Sequence, residues 1–335
     1  MKVQRIAPGL GARRLYLFED GSFRKVAQTH AIIIVLFVIC GISACLTPTF
    51  LNSENLTNIM RQVSIITIIA FGETMLIIAG MVDLAPGSVA ALAGCIAIGT
   101  YLATHSIPVA VISAAAVGVA TGLTSGFIVT KFRVPSFIMT LAMMTIARGL
   151  TFIYTKGFPI YDIGSISYLG KGNLIGVPIP VVVMLGLAGF SALLLKRTRY
   201  GRYLYAIGGS EEAAVAAGIK VRRVKILAFI ACGVFSAIGG VLLMARLNSG
   251  QPAAGVGYEF DAITGAIIGG TSFTGGVGTI LGTLAGSLIV GVINNVLNLL
   301  SVPSYYQQVL KGLIIIVAVV LDLRTRTSGS RNLVR

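Results

Sequence analysis

Charged residues and metal-binding side chains are scarce in this sequence of 335 residues. Only 11% of the residues are Asp, Glu, Lys or Arg, and the chain contains two histidines, four cysteines and no tryptophan. Cys40, Cys45, Cys95 and Cys232 all fall within apolar runs and lack the spacing of metal ligands. We interpret them as small buried hydrophobic residues rather than as disulfides, and we predict no metal site.

Motifs of ATP-binding and hydrolytic enzymes are also absent. The chain has no P-loop, in which a glycine-rich turn followed by lysine and a hydroxyl residue binds phosphate, so it cannot bind ATP in that way. It has no GxSxG nucleophile sequence, and neither His30 nor His105 is spaced from an acid as a metal ligand would be. A membrane enzyme is therefore the weaker hypothesis, and we predict no catalytic residue and no cofactor.

Long apolar runs dominate what the sequence does contain. Hydrophobic residues make up 56% of the chain and its mean hydropathy is +0.91, well above the pattern of soluble domains. Because a membrane-spanning helix needs about 20 apolar residues, the candidate spans are 27–46, 58–80, 84–104, 107–130, 135–155, 178–195, 226–245, 261–275, 280–300 and 307–322. We therefore predict an all-α integral membrane protein with about ten transmembrane helices and no room for a soluble catalytic domain.

The basic residues are unevenly distributed along the chain, whose net charge is +15. With a cytoplasmic N-terminus and ten spans, 20 of the 26 Lys and Arg residues fall on the cytoplasmic side. The exceptions are Arg61, Arg148, Lys156, Lys171, Arg246 and Lys311. The positive-inside rule explains this distribution better than nucleic-acid binding does. We predict a basic cytoplasmic tail at 1–26, a transmembrane domain at 27–322 and a cytoplasmic C-terminal tail at 323–335.

The most strongly charged interior segment is the loop 196–225, in which eight residues are Lys or Arg. Its centre contains, in order, Gly208, Gly209, Ser210, Glu211, Glu212, Ala213, Ala214 and Gly218. A serine cap, acidic residues in the first turn and a closing glycine together predict a short helix of about two turns. Such a helix either docks on a partner protein or belongs to a connector that is basic only to fix orientation. Spacing alone leaves both interpretations open.

Two segments predict helices that are broken within the membrane. The second span carries Glu73 and runs into Asp83 and Pro86, where proline removes a hydrogen-bond donor and a lipid-facing aspartate would be costly. Within 266–291, the glycines around Thr271 and Ser272 also interrupt a helix. Because such breaks are tolerated only where they face protein or a watery cavity, we interpret both as lining a pathway. For the first break, an ordinary cytoplasmic turn is the alternative.

The second broken segment weakly resembles the first. Residues 267–270 (IIGG) align with residues 77–80 (IIAG), a shift of about 190 residues, and both runs enter from the same side in the predicted topology. This predicts a weak internal repeat with two similarly oriented halves, as in many transporters.

Three asparagines, Asn294, Asn295 and Asn298, lie together near the end of the ninth span. Each amide offers a donor and an acceptor, so the three can bind neighbouring helices or a polyhydroxylated solute. Both interpretations remain open at this stage.

The outside face of the predicted topology contains two further features. The longest outside loop, 155–177, suits a lid, a docking ridge for an extracytoplasmic partner or a plain exposed loop. Arg246, Tyr258 and Glu259 also fall on the outside, and we take them as candidate contacts with such a partner.

Several long segments together resemble the permease subunits of carbohydrate-type ABC importers, particularly the members that carry ribose. The resemblance covers nearly the whole chain beyond the N-terminal tail. The segments that show the resemblance are GETMLIIAGMVDLAPGSVAAL (72–92), VPSFIMTLAMMTIARGLTFIYT (134–155), GRYLYAIGGSEEAAVAAGI (201–219), the run from 245 to 286, and NNVLNLLSVPSYYQQVLKGLIII (294–316). One departure is Ala85-Pro86, where family members usually have Ser-Val before Gly-Ser.

The resemblance implies a subunit of a bacterial inner-membrane importer that makes no covalent change to its solute. Two permease copies, identical or related, would form the channel, a cytoplasmic ATPase pair would drive it, and an extracytoplasmic binding protein would deliver a ribose-like sugar. Gly208 to Gly218 would hold the coupling helix that enters a cleft on the ATPase. For the translocation path we predict Asp83, Thr271, Ser272, Asn294, Asn295 and Asn298.

Two alternatives remain beside this interpretation. An ion-coupled secondary transporter would need buried carboxylates, for which Glu73 and Asp83 are the deep candidates. The same class of importer could instead carry a furanose-like signalling molecule or an inositol.

Overall fold

The computed structural model describes the backbone of residues 20–331, and within it the side chains of residues 32, 34–320 and 322. Of the predicted tails, residues 1–19 and 332–335 lie outside the described residues. The rest of each tail continues a helix, because the first helix begins at Asp20 and the last ends at Arg331.

The described residues form 13 helices and one small hairpin. In chain order they are α1 (Asp20–Leu46), α2 (Ser53–Ile78), α3 (Pro86–Thr104), α4 (Ile107–Phe132), α5 (Ser136–Thr155), a 3-10 turn (Gly164–Ser167), α6 (Tyr168–Lys171), β1 (Asn173–Leu174), β2 (Val177–Pro178), α7 (Ile179–Arg197), α8 (Arg199–Gly209), α9 (Glu211–Ala216), α10 (Val221–Leu247), α11 (Tyr258–Ile268), α12 (Ile280–Leu299) and α13 (Ser304–Arg331). The prediction of an all-α membrane protein is confirmed.

Seven of the described helices are long and apolar enough to cross a membrane: α2, α3, α4, α5, α7, α10 and α12. The apolar parts of α1 and α13, Ile34–Leu46 and Ser304–Val320, are shorter. Each of the ten predicted spans contains a helix, but the eighth, α11, has only 11 residues. At 1.5 Å per residue it covers about half of a bilayer core. Ten complete crossings therefore remain a prediction.

The helix α2 lies at the centre of the bundle. Every residue from Val63 to Ile78 is buried, and the helix packs against α10, α11 and α12. By contrast α4, α5 and α7 expose most of their apolar surface. This division separates an inner group of helices from peripheral helices suited to contact with lipid.

Glycines bring α4 close to α10. A methyl group at Gly118, Gly122 or Gly126 would overlap the backbone of α10, the first of them at Gly233. Small residues at three-to-four spacing allow this close approach of helices in a membrane. The fourth span therefore packs against α10 through its glycines.

Residues 156–178, here called the cap, cover one end of the bundle. Ile160 forms a β-bridge with Gly250, and Tyr101 and Ser165 share a hydrogen bond through their hydroxyl groups. Arg61 Nη2 donates to the carbonyl oxygen of Lys171 at 2.7 Å. The longest predicted outside loop is therefore a packed element that joins three helices, whereas α8 and α9 lie at the opposite end.

Candidate functional site

The helix α9 begins and ends where the sequence predicts. Ser210 Oγ accepts a hydrogen bond from the Ala213 amide at 3.1 Å, which caps the helix. At the other end Gly218 has φ +80°, and Ile219 donates its amide to the Ala214 carbonyl at 3.0 Å. This is the left-handed glycine closure of a Schellman motif. The predicted helix is confirmed, and its role in coupling stays a prediction.

One side of α9 packs against the protein, and the rest of its surface is exposed. Ala214 is buried, whereas Glu211, Glu212, Ala213 and Val215 are exposed. Lys225 at the start of α10 forms an ion pair with Glu211 at 2.6 Å. Because the glutamate is largely exposed, this pair adds little stability. A short helix with a free surface is the arrangement that contact with a partner requires.

Five glycines meet where α8 ends, and we call Gly80, Gly208, Gly209, Gly275 and Gly276 the glycine junction. A methyl group at Gly208 would overlap the carbonyl oxygen of Ile78 and the amide nitrogen of Gly276. The Gly276 amide itself donates to the Ile78 carbonyl at 2.8 Å. The end of α8 therefore lies directly against both predicted helix breaks.

A tyrosine adds a second link between α8 and the loop 269–279. The Tyr205 hydroxyl donates to the carbonyl oxygen of Gly278 at 2.8 Å. Burial raises the pKa of the Tyr205 phenol above its ordinary value, so the group stays protonated and keeps this hydrogen bond.

The two helix breaks begin with the same local geometry. At the end of α2, Gly80 has φ +75° and Met81 donates its amide to the Leu76 carbonyl at 2.9 Å. At the end of α11, Gly270 has φ +84° and the Thr271 amide donates to the Ala266 carbonyl at 2.9 Å. The matching positions are 190 residues apart (270 − 80). The two breaks thus share one turn geometry at the spacing of the predicted repeat, and the repeat itself stays a prediction.

The first break turns back towards the middle of α2. Asp83 and Glu73 are both buried, and the Asp83 amide faces Glu73 Oε2 at 3.5 Å. Asp83 Oδ1 accepts from the Ala85 amide at 2.8 Å, which places Pro86 at the start of α3. The first break is thus a buried, hydrogen-bonded reversal rather than an exposed turn.

A thiol completes the surroundings of this acid pair. Cys232 Sγ donates to Glu73 Oε1 at 3.7 Å, and one potential ligand atom each from Glu73, Asp83 and Cys232 lies within 4.8 Å of the other two. A cation could use this geometry. However, the hydrogen bonds described above already engage these groups, and we assign no metal to them.

The second break is preceded by a segment, 248–257, that runs from the cap end into the bundle. Arg148 of α5 donates from Nη1 to the carbonyl oxygens of Pro252 and Ala254 at 2.7 and 2.8 Å. At its end, Gly87 of α3 packs so closely on Gly255 that no side chain fits between them. The N-terminal ends of α3 and α11 therefore meet inside the protein.

The residues predicted to line the path have separate partners. Asn294 donates to Asp261 Oδ2 at 3.4 Å, and Asn295 exchanges two hydrogen bonds with Asn55 of α2. Asn298 is exposed and accepts a hydrogen bond from Gln307. For Asn295 the structure favours the helix-binding interpretation, because both hydrogen bonds of its amide join α12 to α2.

The remaining predicted path residues lie near the α9 end. Thr271 and Ser272 are each 1% exposed. Ser272 Oγ donates to Asp322 Oδ2 at 2.9 Å, whereas Thr271 Oγ1 has no hydrogen-bond partner within the described part of the chain. Asp83 is bound to its own turn, so the hydrogen-bonded members of the predicted set have separate partners in different parts of the bundle.

One of the predicted outside contacts is corrected by the structure. Glu259 is only 5% exposed, and its Oε1 accepts a hydrogen bond from the Gly257 amide at 3.1 Å. It is buried because the segment 248–257 re-enters the bundle, and it cannot contact an outside partner in this conformation. Tyr258 is half-buried against the core, and Arg246 is half-buried beside Gly170 of the cap.

Sequence reasoning missed an ion pair between α11 and α13. Lys311 Nζ lies 2.9 Å from Asp261 Oδ2, and the aspartate is buried. The available signal was the isolated lysine in an otherwise apolar span, since an intramembrane charge normally has a partner. Arg148 gave the same kind of signal, but its carbonyl partners could not be identified from sequence.

Comparison with known proteins gives a family for this arrangement. Residues 55–319 match the family described as branched-chain amino acid transport system / permease component. The chain is 43% identical over 306 residues to the ribose import permease protein of Bacillus subtilis (strain 168), covering 90% of this chain and 94% of the relative. It is also 43% identical over 296 residues to the ribose import permease protein of Escherichia coli (strain K12), covering 87% and 92%.

This chain is also similar to permeases that are named for a different sugar, L-arabinose. The L-arabinose transport system permease protein of Escherichia coli (strain K12) is 35% identical over 302 residues, covering 90% of this chain and 92% of the relative. No solved structure matches the chain. The family implies an ATPase and a binding protein as partners, and the inner membrane as the location. The chain belongs to the branched-chain amino acid transport system permease family, and within it to the carbohydrate ABC importer permeases.

Proposed function

We propose that this permease moves a ribose-like monosaccharide inward by alternating access, driven by a separate ATPase. The cargo is supported by the two ribose import permeases with 43% identity over most of the chain. The arabinose permease at 35% identity supports the broader class of small sugars. No residue of the permease acts on its solute covalently in this proposal.

In the proposed orientation, the α9 end and both chain termini are cytoplasmic and the cap is extracytoplasmic. Basic residues support this assignment, because Arg133, Arg222 and Lys225 surround a cavity beside α9. The positive-inside rule favours the cytoplasmic side for such a group. The ten-crossing topology is part of the same proposal.

Coupling would pass from α9 through α8 to the two helix breaks. The ATPase would contact the exposed face of α9, and two permease copies, identical or related, would place two such helices on the ATPase pair. The observation that carries this proposal is the direct contact of Gly208 with the carbonyl of Ile78 and the amide of Gly276. Because that contact involves backbone atoms, a displacement of α8 acts on both breaks at once.

The test uses proteoliposomes that contain the permease and its ATPase, with the binding protein on the cap side. We expect accumulation of labelled ribose that requires ATP on the α9 side, and no accumulation by the permease alone. Ionophores that collapse proton and sodium gradients should leave the uptake unchanged. Accumulation without ATP that ionophores abolish would instead support the ion-coupled alternative, in which Glu73 and Asp83 would act.

The cargo is tested by competition in the same vesicles. Unlabelled ribose should compete with labelled ribose more strongly than arabinose, an inositol or a furanose-like signalling molecule does. Stronger competition by one of the other compounds would identify that compound as the transported solute. The protein would still be an ABC importer permease.

A further inference from the structure

A cavity of about 430 Å³ lies between the start of α11 and the first turns of α13. The residues that matter for its chemistry are Gly257, Phe260, Ser304, Gln307, Gln308 and Lys311. Its volume is in the range of small-molecule sites, and its lining combines one aromatic ring with several polar groups. None of the path residues predicted from the sequence lines it.

Several polar groups at this cavity have hydrogen-bonding capacity to spare. Among the residues whose side chains the structure describes, none forms a hydrogen bond with the side chain of Ser304 or Gln308. Lys311 donates to Asp261, which leaves other N–H groups of its ammonium available. Gln307 is held in place because its amide nitrogen donates to Asn298 Oδ1 and to the Val302 carbonyl.

The polar character of this face excludes simple contact with lipid. Lys311 is 30% exposed, and a lysine that faces lipid near the middle of a helix is costly. By contrast Val309 and Leu313, on neighbouring parts of α13, are 63% and 54% exposed and apolar. The cavity side of α13 must therefore border protein or water.

A sugar fits this combination of groups. A monosaccharide presents hydroxyl groups that both donate and accept, and the free amide of Gln308, the Ser304 hydroxyl and the Lys311 ammonium complement them. It also has apolar C–H faces, which pack on aromatic rings, and Phe260 is 46% exposed here. The buried Asp261 orients the lysine through the 2.9 Å ion pair.

We propose that the cavity between α11 and α13 is a monosaccharide-binding site of the translocation path, with Phe260 as its apolar contact and Ser304, Gln308 and Lys311 as its hydrogen-bonding groups. This inference rests on the proposed function, since it takes the transported solute to be a sugar. The path then passes between α11 and α13 rather than along the asparagines of α12.

The first test measures access to the site by cysteine labelling. Cys45 is exposed rather than buried as predicted, so it is first replaced by serine. Gln308→Cys is then compared with Leu313→Cys in the permease–ATPase complex in proteoliposomes. A charged thiosulfonate reagent should modify the Gln308→Cys variant, and ribose should slow that reaction, whereas glycerol should not. The Leu313→Cys variant should remain unmodified.

Two results would overturn the proposal. They are failure of the reagent to reach the Gln308→Cys variant, and modification at the same rate with and without ribose. Wild-type uptake measured in parallel distinguishes a failure of the proposed binding site from a failure of the proposed transport function. If wild type accumulates ribose but ribose gives no protection, the site is wrong and the function stands. If wild type accumulates no sugar, both are wrong.

A second test replaces the aromatic ring. Phe260→Ala should lower ribose uptake at saturating binding protein by about fivefold to tenfold, the effect of losing one aromatic packing contact. Val309→Ala, on α13 but outside the cavity lining, should transport at the wild-type rate. Equal uptake by the two variants, both at wild-type membrane levels, would contradict the role of Phe260.

Discussion

Single glycines determine how α8 meets the rest of the bundle. A side chain at Gly208 would occupy the space of two backbone groups, the Ile78 carbonyl and the Gly276 amide. Gly209, the next residue, has no atom within 4 Å of the position of a Cβ atom. The two neighbouring glycines therefore differ in whether the structure has space for a methyl group.

We predict that Gly208→Ala abolishes ATP-driven uptake, while Gly209→Ala leaves it close to wild type. Overpacking a close-packed site lowers the free energy of unfolding by about 1–3 kcal/mol. Here it would force apart the backbones that meet at the glycine junction. Uptake in proteoliposomes and thermal unfolding in detergent would both be measured. Wild-type uptake by the Gly208→Ala variant would show that the close contact does not serve coupling.

Tyr205 makes the second residue-scale contact between α8 and the loop 269–279. Tyr205→Phe removes the hydrogen bond to the Gly278 carbonyl and should reduce uptake with little change in folding. Because burial raises the phenol pKa from its ordinary value of 10.0, the hydrogen bond is present below that pH and is lost only as pH rises through the raised pKa. The wild-type-to-variant ratio of uptake should therefore be constant between pH 6 and 9, roughly the range well below that pKa. A ratio that changes within this interval would contradict the assignment.

Arg148 helps to hold the segment 248–257 through two hydrogen bonds. Arg148→Gln removes a charged donor shared by two partly buried carbonyl oxygens, at a cost of about 2 kcal/mol. We expect faster hydrogen exchange of the amides at 253–257 and a lower melting temperature, with a smaller effect for Arg148→Lys, which can keep one of the two bonds. Unchanged exchange in both variants would mean that the segment is held by its other contacts.

At the scale of elements, α9 depends on its two ends rather than on a hydrophobic core. Six residues are too few for an independent helix, so the Ser210 cap and the Gly218 closure decide whether it forms. Only Ala214 of this helix is buried. In the proposed coupling, the helix presents its remaining surface to the ATPase.

Gly218→Val should reduce ATP-driven uptake strongly, because valine disfavours the φ of +80° that ends the helix. Gly218→Asn is the matched control, since asparagine adopts this conformation more readily. No atom lies within 4 Å of a Cβ at this position, so the difference between the variants reports backbone conformation and not a clash. Full uptake by the valine variant, inserted normally, would count against α9 as the coupling helix.

The elements also show how far sequence reasoning reaches. The two ends of α9 were predictable because Ser210 and Gly218 act on their own neighbours. The two helix breaks were predictable for the same reason, from Pro86 and Gly270. The short length of α11 and the burial of Glu259 were not, because both follow from the re-entry of 248–257, which Arg148 holds from 104 residues away. Likewise Asn295 could not be assigned to Asn55 across 240 residues of sequence.

For the whole molecule, the division into buried and peripheral helices indicates which parts move together. The helices α2 and α10 share the core with α3 and α12, whereas α4, α5 and α7 surround them. The cap joins this inner group through Arg61 and Tyr101. The resulting unit extends from the cap to the glycine junction.

We expect amide hydrogen exchange to be slowest in α2 and α10 and fastest in α9 in the isolated permease. Burial protects the inner helices, while α9 has one turn of hydrogen bonds and an exposed surface. Binding of the ATPase should slow exchange in α9 more than in any part of the cap. An equal effect at both ends would argue against docking on α9.

The glycine junction also limits what kind of movement the protein can make. Where side chains separate two segments, part of any push is absorbed as rotamers change. At Gly208 the polypeptide of α8 touches the polypeptide of both breaks, with no deformable layer between them. A tilt of α8 therefore displaces the end of α2 and the turn before α12 together, so the two breaks respond as one mechanical unit.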